Sequence, residues 1–276
     1  MPKPQAAVIG AGPMGVWVAQ HLAKQGYIVK VYDRNRERLR NLPRNLYRSE
    51  SLDDSVRNAS LVCLAVGTKN SAELASEIVQ NYNGKVVIDI SSVKTPVFEQ
   101  LKTLDVKDNL IVLTHPLFGP GTKKLEDKTV FIVPFRNRFR EYRVCKKLFP
   151  SCKIIAVSSA SHDMLMAIAM SLPRVLLLSL FDTWRRNRVE RLTVSQRAIW
   201  LAASTTLTEN TSLTSEVVAE NPYTAEAIKQ FEEAVEWIMK DPAKNVEMLH
   251  KRFKKRSQET EYFQIYRLLE KLSSKR

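Results

Sequence analysis

Apolar positions in the first half of the chain come in short, nearly continuous runs separated by polar, turn-rich stretches. Residues 6–9, 27–32, 61–66, 86–90, 110–113, 129–134 and 154–157 each have the length of a strand and the composition of one covered on both faces. Between them the pattern predicts helices at 35–42, 52–57, 70–82 and 139–148, and one starting at Thr95-Pro96, read as an N-cap and a first-turn proline. From about Ser159 the period becomes helical: Leu165, Ile168, Ala169, Leu172 and Leu176 form one stripe. Further helices are expected across 195–219 and 224–239, with a break at Asn221-Pro222 and a basic amphipathic tail after Asp241-Pro242. Residues 164–181 are apolar enough to pose a membrane helix. Pro173 and Arg174 near the middle favour burial in a helical domain or against a second subunit.

Glycine usage follows the same division. All eight glycines fall between Gly10 and Gly121, so tight turns belong to an α/β half and the remainder is helical. The sharpest motif is Gly10-Ala11-Gly12-Pro13-Met14-Gly15, which sits where the first strand gives way to a helix. In that context Gly10 makes the turn, Gly12 lets backbone approach a pyrophosphate, and Gly15 lets helix and strand pack closely. Asp33, at the end of the second strand, is placed to accept hydrogen bonds from a ribose diol. These features predict a Rossmann doubly wound parallel sheet over residues 1–158 and an all-helical dimerisation domain over residues 159–276. The cofactor is NAD, because Asp33 repels a 2′-phosphate, while Arg34 and Arg36 keep NADP open. Ala65 and Val66, at the end of the third long strand, are expected to face it.

Composition narrows the partners. The 276-residue chain is 44% hydrophobic and carries a formal charge of +14. Its cations cluster at residues 34–48, 136–147 and 251–256, as solvated helix faces or as a field that steers an anionic substrate and cofactor. No RNP-like aromatic pair or zinc-finger spacing accompanies them, so a small anion is favoured over nucleic acid. Cys63, Cys145 and Cys152 lack metal or disulfide spacing and read as reduced, buried thiols, with no metal expected. No signal-peptide pattern opens the chain, which predicts a cytoplasmic protein.

His115 is the candidate for chemistry. It lies between a strand and a Pro-x-x-Gly-Pro-Gly turn, poorly suited to core filling, and a near-neutral imidazole suits proton transfer. Asp33, Ala65-Val66, Ser91-Ser92 and His115 all come at strand carboxyl ends, where open α/β sheets bind ligands. His162 and Asp163 read as a helix-start network, and His21 and His250 as surface residues.

These residues carry a resemblance to the prephenate/arogenate dehydrogenase (TyrA-type) family. The matching pieces are the glycine motif, Asp89-Ile90-Ser91-Ser92-Val93-Lys94, His115-Pro116-Leu117-Phe118-Gly119-Pro120, Ser161-His162-Asp163 and Asn221-Pro222-Tyr223. The resemblance implies oxidative decarboxylation with hydride transfer to nicotinamide, in tyrosine biosynthesis, with the site between two domains of a homodimer. It implies that His115 takes the substrate hydroxyl proton, that Ser92 hydrogen-bonds near it, and that Lys94 holds the turn or adds positive potential. Two positions depart from the family pattern. Glu216 stands where relatives carry a carboxylate-clamping arginine, and Arg174 stands where many have histidine, as a substrate-carboxylate ligand or as a partner for an acid such as Glu216. These departures leave two alternatives open: a related dehydrogenase of a different small acid, or a non-catalytic NAD(P)-binding sensor or scaffold.

Overall fold

The computed structural model describes residues 2–189, 193–208, 211–254 and 264. The chain divides into two units, one of residues 1–166 with 220–222, the other of residues 167–219 and from 223 on.

The first unit is built on an eight-stranded sheet. Its strands are β1 (Gln5–Ile9), β2 (Ile28–Tyr32), β3 (Tyr47–Arg48), β4 (Leu61–Leu64), β5 (Val86–Asp89), β6 (Leu110–Pro116), β7 (Thr129–Val133) and β8 (Lys153–Ala156). They lie in the order β3-β2-β1-β4-β5-β6-β7-β8. Every neighbouring pair is parallel except β6 with β7, so the doubly wound sheet ends in a reversed pair. The continuous apolar runs are explained by cover on both faces. Alternation sends Ala6 and Val8 of β1 into one core, with Val18 and Leu22 of α1 (Pro13–Lys24). Ala7 and Ile9 enter the other, with Ile78 and Val79 of α3 (Thr68–Asn81) and Val97 and Leu101 of α4 (Thr95–Lys102).

Several elements depart from the sequence pattern. Residues 35–42 form only a 3₁₀ turn, Arg36–Leu39, because Pro43 disfavours helical backbone at the residue before it. β3 is a two-residue exposed edge strand without an apolar signal. A short helix α2 (Leu52–Val56) precedes β4, and α5 (Arg138–Leu148) precedes β8. Lys94, not Thr95, is the N-cap of α4, and no side chain of its own segment caps it. β6 runs three residues past 113. Antiparallel β7 continues the ladder where β5 stops, pairing Thr114 with Ile132, His115 with Phe131 and Pro116 with Val130.

The boundary between the units falls after Met166, where the sequence pattern put it after residue 158. Helix α6 (Ser159–Met166) is stitched to the sheet unit by Asp163, which accepts from the backbone N–H groups of Lys94 and Thr95. The Asn221-Pro222 break also belongs there. Asn221 Nδ2 donates to Asp163 O at 2.8 Å, and Lys69 N donates to Glu220 Oε2 at 3.0 Å.

The second unit opens on a π-helical segment, Ala167–Ser171, and continues as α7 (Leu172–Arg186), α8 (Val194–Thr208), α9 (Thr211–Ala219), α10 (Thr224–Lys240) and α11 (Pro242–Lys254). Residues 195–219 thus hold two helices. Of the predicted basic tail, residues beyond 254, including 255 and 256 of the last cationic block, fall outside the described residues except 264. Ser171 Oγ donates to Val217 O, joining the π segment to α9. The segment Ser159–Arg186 is long and apolar enough to cross a membrane by length and composition, and only 22% of its most apolar window is buried. Of the apolar stripe, Leu165, Ile168 and Ala169 are exposed on the single chain, and Leu172 and Leu176 are half-buried. Leu165 and Ile168 are each 46% exposed, whereas the buried positions are His162, Asp163, Met166, Ala167, Ser171 and Arg174.

Candidate functional site

Strand order reverses between β1 and β4, and the carboxyl ends of these two strands meet at the glycine turn. Gly10 has φ +105°, and a Cβ there would lie 2.3 Å from Ala65 O. A Cβ on Gly15 would lie 1.9 Å from Gly10 O. Both glycines are therefore demanded by the protein's own backbone. Gly12 differs: a Cβ there meets nothing within 4 Å. The space it leaves lies at the amino end of α1, which starts at Pro13 and offers unpaired N–H groups to an anion. These residues fit the pyrophosphate of a dinucleotide. Met14 packs against the core beneath.

Asp33 closes the turn from the end of β2. Its Oδ2 accepts from Ala11 N at 2.8 Å and its Oδ1 from Asn35 N at 2.8 Å, with Arg38 Nη1 3.5 Å from Oδ2. Arg34 Nη2 donates to Asn70 Oδ1 at 2.9 Å, and Asn70 Nδ2 to Val66 O at 3.2 Å. Asp33, Arg34, Ala65 and Val66 are thus gathered around one turn. Arg36 is turned onto Glu50 O.

A second polar cluster lies at the carboxyl ends of β5 and β6, in an otherwise apolar interior. Asp89 accepts from Ser71 Oγ at 2.6 Å and Ser91 Oγ at 2.8 Å, and forms an ion pair with Lys94. Lys94 is fully buried, so its ammonium does not face solvent. Ser92 lies half-buried in the same turn. His115 is buried, and its Nδ1 lies 3.0 Å from His162 Nε2. His162 Nδ1 lies 2.7 Å from Asp163 Oδ1. Burial first, then His162 and Lys94, hold the His115 imidazole well below its usual range, so it is neutral at neutral pH. His162 is also lowered, chiefly by burial, against the opposing effect of its hydrogen bond to Asp163.

The sequence pattern missed the connection of His162 and Asp163 to His115. Its available signal was an adjacent His-Asp pair directly after the last strand. Asp89, an acid ending the apolar run Val86-Val87-Ile88, lies within the family resemblance, which assigned it no role. His21, expected at the surface, is half-buried between the rings of Trp17 and Phe149, with Nε2 2.6 Å from Leu148 O. His250 is exposed. Arg174 belongs to the second unit, is 9% exposed, and donates from Nη1 to Met170 O at 3.0 Å. Glu216 is half-buried on α9. Burial pushes the Cys145 thiol up to about 12 and raises those of Cys63 and Cys152, which makes them poor nucleophiles. Among the described residues no group of three or more His, Cys, Asp or Glu side chains is placed to hold a metal.

Residues 5–134 match the NAD binding domain of 6-phosphogluconate dehydrogenase. A probable arogenate/prephenate dehydrogenase of Methanocaldococcus jannaschii is 24% identical over 240 residues, 83% of this chain and 52% of the relative. The chain therefore spans about half the length of that curated relative. Among solved structures, prephenate dehydrogenase from A. aeolicus in complex with hydroxyphenyl propionate and NAD+ superposes with a TM-score of 0.75 at 19% identity, covering 93% of this chain and 98% of that one. Synechocystis arogenate dehydrogenase gives 0.53 at 16% identity, covering 98% of each. With its dinucleotide-binding glycine turn and its buried histidine at the end of β6, the chain is similar in sequence to the Methanocaldococcus jannaschii arogenate/prephenate dehydrogenase and shares the fold of prephenate and arogenate dehydrogenases.

Proposed function

We propose that the chain is an NAD(P)-dependent dehydrogenase that oxidatively decarboxylates prephenate or arogenate in the cytoplasm. The observation that carries this reading is a buried imidazole, His115, fixed at a strand end of a Rossmann sheet with its Nδ1 on His162. Bound nicotinamide supplies the hydride acceptor. His115 takes the proton of the 4-hydroxyl as that O–H pair becomes the carbonyl and the C–H pair departs as hydride. Loss of carbon dioxide then returns an electron pair to the ring, and the resulting phenolate takes its proton back from His115. Ser92 orients the hydroxyl. Gly10, Gly12, Pro13, Met14, Gly15, Asp33, Arg34, Ala65 and Val66 hold the dinucleotide, with Asp33 favouring NAD. Lys94 contributes positive potential near His115, and Arg174 is assigned to the substrate carboxylate. The test is reduction of NAD and of NADP, followed by absorbance, with prephenate and arogenate in separate reactions. No turnover of either substrate, with cofactor binding intact, would remove the reading.

Two predictions bear on the cofactor. Gly12→Ala is expected to leave thermal stability unchanged but weaken NADH binding about tenfold or more, because the added methyl enters the cofactor's space. Gly15→Ala is expected to lower stability by about 2 kcal/mol or more, since its methyl strikes backbone. Titration calorimetry and chemical denaturation separate the two effects. Asp33→Asn, which removes the charge but keeps an acceptor for Ala11 N, is expected to raise the NADP-to-NAD affinity ratio about tenfold. An unchanged ratio would take the ribose role from Asp33.

The reading includes a homodimer joined through the C-terminal helices. It is supported by the apolar side chains that the second unit leaves exposed, among them Ile168, Leu178, Trp200, Val235 and Met239. The buried Arg174 and the proline beside it suit such a surface better than a bilayer. Sedimentation equilibrium is expected to return twice the chain mass for the wild type and a lower mass for Ile168→Glu.

A further inference from the structure

We propose that His162 and Asp163 form a positioning relay behind His115, fixing the tautomer that leaves His115 Nε2 as proton acceptor and spreading the charge it acquires. The inference rests on the dehydrogenase reading for its catalytic consequence, but its geometry stands within the sheet unit alone.

The argument begins at Asp163. Its carboxylate is fully buried and anchored by two backbone donors at the start of α4, Lys94 N to Oδ1 at 2.8 Å and Thr95 N to Oδ2 at 2.6 Å. Such charge-assisted bonds favour the ionised form, and the acid is held below the usual carboxylate range against the cost of burial. An ionised carboxylate only accepts. His162 Nδ1, 2.7 Å from Oδ1, therefore carries the proton of that bond. A neutral imidazole has one N–H, so His162 Nε2 presents its lone pair, and the group facing it is His115 Nδ1 at 3.0 Å. The hydrogen of that bond comes from His115, which puts its N–H at Nδ1 and its lone pair at Nε2. Each tautomer is thus dictated by the next group outward, and the last group is pinned by backbone.

Packing holds the relay in register. Phe131 of β7 meets the His162 ring edge-on at 5.7 Å, His115 lies within the β6–β7 ladder, and Asn221 fixes the Asp163 carbonyl. Among the described residues, the charged and titratable groups acting on His115 are His162 and Lys94, and those acting on His162 are Asp163, Lys94 and Asp89. When the substrate O–H bond breaks, its proton goes to His115 Nε2 and its electron pair to the forming carbonyl. The imidazolium then donates more strongly from Nδ1 to His162 Nε2, and His162 Nδ1 more strongly to Asp163. No proton leaves the relay, and the Nε2 proton returns to the phenolate oxygen after decarboxylation.

The chain has four histidines, so the relay can be read directly by long-range proton–nitrogen correlation spectra of the nitrogen-labelled full-length protein. The expected result is a single, neutral Nδ1–H tautomer for both His115 and His162 at neutral pH. An Nε2–H tautomer or a mixed population at His115 would overturn the proposal whether or not the protein turns over either substrate. In the kinetic arm, His162→Leu is expected to lower kcat about 10- to 100-fold, with KM and NADH affinity unchanged and the acid limb of the kcat–pH profile displaced. His162→Gln, whose amide oxygen can accept from His115 Nδ1, is expected to recover part of that loss. Wild-type kcat and an unmoved profile in the leucine variant would also overturn it. Absence of turnover in the wild type, alongside the expected tautomers, would instead count against the dehydrogenase reading alone.

Discussion

Replacing His115 with alanine is expected to lower turnover by about 100-fold or more while leaving NADH affinity nearly as it was. The separation follows from placement. The glycine turn and Asp33 are held by β1, β2 and β4, whereas His115 is held by β6 and β7 and has its Nδ1 on α6. Removing the imidazole takes away the proton acceptor and leaves the dinucleotide cradle untouched. The pH dependence carries the same signature. Because the folded-state value of His115 lies well below the ordinary imidazole value, the base is already deprotonated at neutral pH, so the wild-type rate should be flat there and fall only on the acid side. Stability has the matching sign. Below about pH 6.5 the unfolded chain takes up a proton that the folded His115 refuses, so unfolding free energy falls as pH drops through that range and is level above it. His162 adds to the effect with the same sign. The alanine variant should therefore show a shallower acid decline in chemical denaturation, together with its loss of turnover. Turnover unchanged in His115→Ala would place the proton transfer elsewhere.

The sheet and the cofactor turn were legible because each is encoded locally. A buried parallel strand must be apolar on both faces, and the turn after β1 requires glycine at Gly10 and Gly15 for steric reasons confined to a few residues. What escaped the pattern was set by long-range pairing. Nothing near His115 announces that the strand continues through it; the extension exists because β7 returns antiparallel beside it. His162 and Asp163 looked like local helix-start polar residues, yet Asp163 caps a different helix, one beginning 68 residues earlier in the chain. Periodicity found the apolar spacing along α6 and α7 but not the polar stripe that is buried within the chain. Leu165 and Ile168 point outward, and the buried face carries His162, Asp163, Ser171 and Arg174. An apolar stripe reports only that something covers it, whereas a polar stripe reports its burial through its partners. The candidate site therefore had to be read from hydrogen bonds, not from hydropathy.

Those bonds make Lys94 the residue whose loss should cost the fold most. Its side chain and that of Asp89 are both removed from solvent, the ammonium on the carboxylate and 3.2 Å from Ser91 Oγ. Lys94→Met keeps the length and apolar stem but strands the Asp89 charge in the interior. Breaking one side of a buried pair costs about 3–5 kcal/mol, so chemical denaturation should show a loss of that order and the melting temperature should fall by roughly 10 °C. Asp89→Asn combined with Lys94→Met removes both charges and leaves an amide whose oxygen can accept from Ser71 Oγ and Ser91 N while its N–H donates to Ser91 Oγ, so the double variant should recover most of the loss. That recovery separates an uncompensated charge from a packing defect, because the methionine is present in both proteins. Equal stability of the single and double variants would mean that water or a rearranged turn already compensates Asp89. The same substitution removes a cation that holds His115 neutral. Any Lys94→Met protein that remains folded should therefore show its acid limb of activity moved toward higher pH, a shift that lost substrate affinity alone does not produce.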